Sequence, residues 1–345
     1  MSPIKSENLL EIQDLHAGFS TPHGYSKAVD GLNLTLKSGE ILGLVGESGS
    51  GKSVSALSIL RLIQMPPGKI TSGKIIFRGK DLLSYSNPEM VKIRGNEIGM
   101  VFQEPMTSLN PVFTIGEQIA EVLTIHKEMT KSEALSSAID ILKQVKIPSP
   151  EQRIHEYPHQ LSGGMRQRVM IAMAMACRPA LLIADEPTTA LDVTVQSQIL
   201  ELMKELRSTI GSSILLITHD LGVVAEVADR VAVMYAGQIL EEAPVEDFFQ
   251  NPLHPYSQGL LASLPRFEEN KDISRKLYSI PGNVPDPFSY PEGCRFHPRC
   301  SYMKEPCKKG MPILERVQEN HYSRCLYAQD FLNHKKEPDV SHESE

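Results

Sequence analysis

The chain has 345 residues, 41% of them hydrophobic, enough for a large packed core or for two domains. Its formal net charge of −7 lacks the basic surplus that a duplex-binding face needs, which excludes nucleic acid as a main partner. The opening Met1-Ser2-Pro3-Ile4-Lys5-Ser6-Glu7 has no apolar run and does not read as a secretory signal, and Arg178-Pro179 breaks the most apolar region, Val169 to Ala184, before it could span a bilayer. The expectation is a soluble, intracellular chain, free to dock on membrane proteins.

Leu9-Leu10-Glu11-Ile12-Gln13-Asp14-Leu15 and Leu32-Asn33-Leu34-Thr35-Leu36 alternate as half-buried strands do, and Ser72 to Gly79 reads as a short strand between turn glycines. Together they predict a small β-rich layer. Ile41-Leu42-Gly43-Leu44-Val45 predicts a buried strand. It runs into Gly46-Glu47-Ser48-Gly49-Ser50-Gly51-Lys52-Ser53, after which Val54, Leu57, Ile59 and Leu60 recur at roughly helical spacing. Strand, G-x-x-x-x-G-K-S loop and helix make a phosphate loop for a nucleoside triphosphate. The glycines let backbone N–H groups curl around phosphate oxygens, and the helix N-terminus adds partial positive charge. Lys52 is expected to reach the β/γ phosphates and Ser53 to ligate Mg²⁺.

From about Glu104 to Gln160 the pattern is helical, with Ile115, Ile119, Val122 and Leu123 on one face and a further helix over Lys131 to Val145. Leu161-Ser162-Gly163-Gly164-Met165 then opens a helix running to Met175, a second glycine-bearing and anion-binding helix end. One Lys-containing loop and one carboxylate pair serve these two half-sites, which predicts a nucleotide sandwiched between two subunits. Apolar strands follow at Ala180 to Asp185, Ser213 to Thr218 and Arg230 to Met234, with a helix over Thr194 to Ser208 between the first two. The alternation predicts a mostly parallel, helix-covered sheet. Asp185, at a strand's C-terminal edge, is placed to hold Mg²⁺ through its water shell. Glu186 points elsewhere and can polarise a water toward the γ-phosphate, and His219 ends a neighbouring strand. Such hydrolysis is mainly positioning and charge stabilisation, to which a general base adds about 10²–10⁴-fold.

Near residue 245 prolines crowd in and long helical periodicity fades, which predicts an appended module that is not more of the sheet. The charged stretch from Asn333 to Glu345 is expected to be disordered. Cys177 sits on the apolar helix after Met165 and reads as core packing. The other four cysteines fall as Cys294-x5-Cys300-x6-Cys307-x17-Cys325. In an intracellular chain this favours a metal centre over disulfides. The spacing lacks the tight knuckles of common zinc sites, whereas iron–sulfur clusters tolerate varied spacing. Cluster, zinc with His297 replacing a thiol, and free or paired thiols all remain open, and any such centre would hold together a module with little apolar core.

These elements, in this order, resemble the ATP-binding subunit of an ATP-binding-cassette (ABC) transporter. The matching pieces are the phosphate loop, Gln103 in Val101-Phe102-Gln103-Glu104, the Leu161–Met165 signature, Asp185-Glu186, Ala190-Leu191-Asp192 and His219. The resemblance spans about Leu9 to Gln250. It implies an α/β P-loop nucleotide-binding domain over residues 1–245, with a RecA-like, mostly parallel sheet, an antiparallel β subdomain and a helical subdomain at about 104–165. It further implies ATP and Mg²⁺ as ligands, the metal on Ser53, Gln103 and Asp185, and catalysis by Glu186, His219 and Gln103. Ser162, Gly163, Gly164 and Asp192 would reach the nucleotide of a partner subunit. Gln103 would couple the metal to a transmembrane partner. An aromatic ring upstream of the loop would stack on adenine; Tyr25 is the candidate, with His23 and Phe19 competing.

Finer features are similar to the dipeptide/oligopeptide/nickel permease branch: Phe102 to Pro111, Tyr157-Pro158-His159-Gln160 and Ala184 to Val195. In residues 246–332 so are His254-Pro255-Tyr256, Leu260 to Pro265, Ile280-Pro281-Gly282 and Gly293-Cys294-Arg295-Phe296. This implies peptide import, with nickel or another small solute as the same-branch alternative and a soluble, non-transport cassette ATPase as the different-class one. The single cassette and acidic balance weigh against the last. The implied partners are a related ATPase subunit in a hetero- or homodimer, two transmembrane permease subunits and an extracytoplasmic solute-binding protein. The implied location is peripheral, on the cytoplasmic face of the inner membrane. The branch also implies a [4Fe–4S] cluster on Cys294, Cys300, Cys307 and Cys325, with Zn²⁺ as the alternative.

Overall fold

The computed structural model describes residues 8–104, 108–189, 191–264 and 278–333. Strands β1 (Asn8–Thr21) and β2 (Gly24–Lys37) form an antiparallel hairpin much longer than their alternating cores predict. Register shifts near Leu15 and Gly18 let the pairing continue through residues with no alternating pattern. Strand β3 (Ile41–Val45) leads through the glycine loop into helix α1 (Lys52–Ile59). Strands β4 (Gly68–Phe77) and β5 (Lys80–Asp81) complete a four-stranded sheet in the order β2-β1-β4-β5. Its apolar face, including Leu10, Ile12, Leu32 and Leu34, packs in one core with Ala56 and Ile59 of α1. The expected β-rich layer is present.

Helix α2 (Asn87–Ile93) precedes strand β6 (Ile98–Val101). The helical stretch then holds α3 (Ile115–Lys127), α4 (Lys131–Gln144) and the short α5 (Pro150–Arg153). Thr114 with Glu117 and Thr130 with Glu133 form reciprocal capping boxes that start α3 and α4. Ile115, Ile119 and Leu123 of α3 are buried as their spacing predicts. Helix α6 (Gly163–Met175) passes into β7 (Leu181–Asp185), then α7 (Val193–Ile210), β8 (Ser213–Thr218), α8 (Leu221–Val227), β9 (Arg230–Tyr235) and β10 (Gln238–Pro244). Cys177, just after α6, is buried in keeping with core packing. No described helix is long and apolar enough to cross a membrane. Residues 334–345, the bulk of the segment expected to be disordered, lie outside the described residues.

After residue 245 come α9 (Val245–Gln250), α10 (Pro255–Ala262), the small hairpin of β11 (Glu315–Gln318) with β12 (His321–Ser323), and α11 (Ala328–Asn333). The main sheet runs β11-β12-β10-β9-β3-β8-β7-β6. Its five strands from β9 to β6 are parallel, and the other three are antiparallel. The expectation that the C-terminal module stays off the sheet is thereby overturned, because β12 pairs with β10 (Glu241 opposite Ser323, Glu242 opposite Tyr322). The physical reason is Glu241, fully buried on β10. Its carboxylate accepts from the N–H groups of Leu253 (2.6 Å) and His254 (2.8 Å), and Nε2 of buried His321 lies 2.7 Å away. One acidic side chain thus ties the chain leaving the sheet to the strand that returns to it.

Glu241→Ala would leave two N–H groups and the Nε2 of the His321 imidazole unpartnered in the interior. The expected loss is about 3–5 kcal/mol of stability, with Glu241→Gln milder. Chemical denaturation of the nucleotide-free protein checks this, and a loss under about 1 kcal/mol for the alanine variant would contradict it.

Candidate functional site

The parallel strands set the site. Val45 ends β3 level with Thr218 of β8, Asp185 ends β7 level with Ile217, and Val101 ends β6 level with Ala184. The residues just beyond these ends, Gly46, His219, Glu186 and Phe102-Gln103, therefore emerge along one sheet edge, where ligands of such sheets bind. Gly51 has φ +107°, and a Cβ there would lie 2.3 Å from the Ala28 carbonyl oxygen. Only glycine lets β2 pass this close behind the loop. Lys52 folds over the loop, Nζ donating to the carbonyls of Gly46 (2.7 Å) and Glu47 (3.0 Å). Burial lowers its pKa, and the charges of Glu186 and Asp185 oppose that shift.

Ser53 Oγ donates to Asp185 Oδ1 across 3.1 Å, joining the start of α1 to the end of β7. Asp185 is buried, and the loss of water pushes its carboxyl above the usual range despite the Ser53 bond, with Glu186 adding to the shift. Glu186 sits at φ +47°, a left-handed conformation costly for glutamate and common at functional turns. Its Oε2 accepts from Gln103 Nε2 (3.0 Å) and Thr189 Oγ1 (2.9 Å), and its Oε1 lies 3.2 Å from His219 Nδ1. Burial pushes this carboxyl up, but hydrogen bonds from His219 and Thr189, with the charges of His219 and Lys52, outweigh it and hold it below the usual range. Two adjacent carboxylates are thus driven in opposite directions, which fits them for different tasks.

The structure gathers Ser53, Gln103, Asp185, Glu186 and His219 into one hydrogen-bonded edge beside Lys52. It does not gather Ser162, Gly163, Gly164 or Asp192 there. Ser162 caps α6 through Met165 N–H (3.3 Å), and Asp192 caps α7 through Val195 N–H (2.9 Å). Gly164 faces α7 so closely that a Cβ would meet Val195 at 2.8 Å. No hydrogen bond among the described residues joins these groups to the phosphate loop. Tyr25 rests against Gly18, and its hydroxyl donates to the Lys69 carbonyl at 3.3 Å. Phe19 packs against the core, while His23 is exposed. Ala190 and residues 105–107 lie outside the described residues.

Three residues escaped the sequence reading. Thr189 follows Glu186 by three positions, a spacing at which a hydroxyl folds back across a turn, so a local signal existed. Tyr256 and Arg299 had none. The Tyr256 hydroxyl accepts from Glu47 N–H (2.9 Å), and Arg299 grips the Glu47 carboxylate with Nη1 (2.6 Å) and Nη2 (3.0 Å). The pair stands 252 positions apart in sequence. Its hydrogen bond to Glu47 raises the Arg299 pKa.

Cys294, Cys300, Cys307 and Cys325 line one pocket, and all four are unbridged. Burial pushes the Cys300 thiol up to about 11 and the Cys325 thiol up to about 12, with the neighbouring thiols adding to both shifts. Backbone N–H groups of Phe296, Tyr302 and Tyr327 bond to Cys294, Cys300 and Cys325. Among the described residues, however, no group of three or more His, Cys, Asp or Glu side chains is placed to hold a metal ion. Neither the [4Fe–4S] expectation nor the zinc alternative finds support there, and His297 Nδ1 lies 2.9 Å from the Cys294 carbonyl oxygen.

Comparison with known proteins returns two family matches, "ABC transporter" over residues 29–189 and "Oligopeptide/dipeptide transporter, C-terminal region" over residues 240–307. The chain is 54% identical over 323 residues to oligopeptide transport ATP-binding protein AppD of Bacillus subtilis (strain 168), covering 93% of this chain and 98% of that one. It is 53% identical over 319 residues to OppD of the same organism, an oligopeptide transport ATP-binding protein, covering 92% and 88%. Among solved structures it resembles the dimeric post-hydrolysis state of the ATP-binding cassette MJ0796 bound to ADP and Pi. That match has TM-score 0.62 and 29% identity, covering 68% of this chain and 98% of that one.

The cost of keeping Asp185 ionised in its buried position gives a stability signature. With its folded pKa raised, the cost is fully present above that pKa and is relieved as pH falls toward the unfolded value. Asp185→Asn should therefore stabilise the nucleotide-free protein by about 1 kcal/mol near neutral pH. The gain should vanish on acidification, and denaturation across that pH range would expose a flat or inverted dependence.

Proposed function

The chain belongs to the ABC transporter family of ATP-binding subunits, and we propose that it works as the ATP-hydrolysing, energy-coupling subunit of a membrane importer for di- and oligopeptides. The observation that carries the ATPase reading is the Glu186 carboxylate, bonded to Gln103 and Thr189 and set against His219, beside the joint where Ser53 meets Asp185. Support for peptide cargo comes from relatives named for oligopeptide transport and matched nearly end to end, and from the match of the C-terminal region.

In this reading the triphosphate lies on the loop's N–H groups at the start of α1, with Lys52 moving from its loop carbonyls to the β/γ phosphates. Mg²⁺ would be held by Ser53 and Asp185, whose oxygens lie 3.1 Å apart, together with Gln103, and would neutralise charge on the phosphates. Glu186, its pKa depressed, is ionised at neutral pH and takes the proton of the water attacking the γ-phosphorus. The bond to the bridging oxygen breaks, releasing ADP and phosphate, and His219 steadies the γ-phosphoryl group. Ser162, Gly163, Gly164 and Asp192, remote from this chain's own loop network, serve the nucleotide of a related subunit or a second copy. Tyr25 stacks on adenine. The assembly is peripheral, beneath two transmembrane permease subunits on the cytoplasmic face, with an extracytoplasmic protein delivering the peptide.

The same reading seats a [4Fe–4S] group on the four thiols as a structural cross-link. What supports it is their shared pocket, the N–H···S bonds, and Arg324. That guanidinium is buried, lines the pocket and, among the described residues, donates to the carbonyls of Ile239 and Pro312, so its charge would balance an anionic thiolate centre.

Glu186→Gln should keep ATP binding while cutting turnover at least about 100-fold, and should trap an ATP-bound dimer visible by light scattering. Turnover near the native rate would remove Glu186 as the base. For the thiols, protein purified without oxygen should carry iron and acid-labile sulfide in equal amounts, and a colourless, iron-free protein would reject the cluster.

A further inference from the structure

Glu47 is the second residue of the phosphate loop, and the C-terminal module holds it twice. Tyr256 takes its N–H, and Arg299 takes its carboxylate in a two-pronged pair. The Arg299 side chain is only 5% exposed, and the rest of its donor set is spent on the carbonyls of Pro281 and Ile280 and on the Tyr235 hydroxyl. It has no slack. The Glu47 carboxylate also acts on the site itself, because its charge reaches Lys52. An unpaired carboxylate so close to the loop would repel a bound triphosphate and compete for the lysine.

We propose that Arg299 is a positioning residue for ATP: it neutralises Glu47 and, with Tyr256, fixes the loop in its phosphate-ready shape, so that the C-terminal module forms part of the nucleotide site. Two physical effects combine. A loop held from behind loses less freedom when the ligand binds, which favours affinity. A charge-assisted, two-pronged pair also cancels the one acidic side chain in the loop. Arg299 lies between Cys294 and Cys300 in sequence, in the turn His297–Arg299 that borders the thiol pocket. Any rearrangement of that pocket therefore moves a group that sets the charge beside Lys52.

The inference rests on the phosphate loop binding ATP, and equilibrium titration with Mg-ATP separates the two claims. Arg299→Gln should raise the ATP Kd roughly tenfold, with KM rising in parallel and kcat at saturation nearly unchanged. Glu47→Gln alone should weaken binding less, because the charge it leaves unpaired is the cation of Arg299, which does not repel the triphosphate. Added to Arg299→Gln, it should recover most of the affinity, which a merely structural role for Arg299 would not produce. Arg299→Lys keeps the charge without the two-pronged geometry, and it serves, with an intermediate Kd expected, if the glutamine variant fails to fold. A folded Arg299 variant with native Kd, or a double variant as weak as Arg299→Gln alone, overturns the inference. Wild-type protein that binds no ATP overturns the reading beneath it as well.

Discussion

Four parallel strands whose ends fall within two residues of one another are the constraint from which everything at the catalytic edge follows. In strands β6, β7, β8 and β3 the closing residues Val101, Asp185, Thr218 and Val45 are staggered by one position from β6 to β7 and by one from β7 to β8, with Thr218 and Val45 level. Each strand is then followed by a residue that carries chemistry. Because the strands are apolar and buried on both faces, the polar groups can gather only past their ends. Slipping any one strand would separate Ser53 from Asp185 or Glu186 from its partners, so the hydrophobic core is what aligns the hydrogen bonds.

Within that alignment the same backbone produces two unlike carboxylates. Asp185 is still in the strand, buried, with a single hydroxyl donor, so its ionised form is costly until a cation arrives. One residue on, the left-handed turn at Glu186 brings its carboxylate among Gln103, Thr189 and His219, where the ionised form is favoured. Donor groups from several separate segments converge there. A chain that had not closed its sheet could not hold that geometry.

How much of this could be read in the amino-acid order follows from the range of each interaction. The strands β3, β7, β8 and β9, the loop and the carboxylate pair are visible because their signals are contiguous: apolar runs, glycines and a lysine at fixed offsets. The full length of β1 and β2 was not, since Gly18, Thr21 and Gly24 break the alternation and only cross-strand pairing draws them in. The return of β12 to the sheet was hidden for a related reason. Its three residues are too short for a pattern, and Glu241, which reads as an ordinary surface glutamate, is buried by partners far along the chain. The grip of Arg299 on Glu47 lies entirely in the tertiary fold.

The way the C-terminal module is held bears on what it can transmit. Three of its arginines, Arg295, Arg299 and Arg324, are buried and directed at the cassette: Arg295 to Asp30 and the Ala236 carbonyl, Arg299 to Glu47, and Arg324 to the Ile239 carbonyl. Tyr290 adds a hydrogen bond to the Lys27 carbonyl (2.7 Å) while its ring lies under Arg295. Buried guanidinium groups contribute modest net stability, because desolvation offsets most of the attraction, but they tolerate little misalignment. The apolar packing of Tyr256 and Phe296 on Val45 and Tyr235 could by itself slide and remain stable, but the buried pairs beside it cannot. The interface holds its orientation or loses its partners, and it meets the cassette at the strand that backs the phosphate loop and at the loop itself. Such a junction converts a displacement in the module into a displacement at Glu47, which is why its effect belongs to ATP affinity before it belongs to stability.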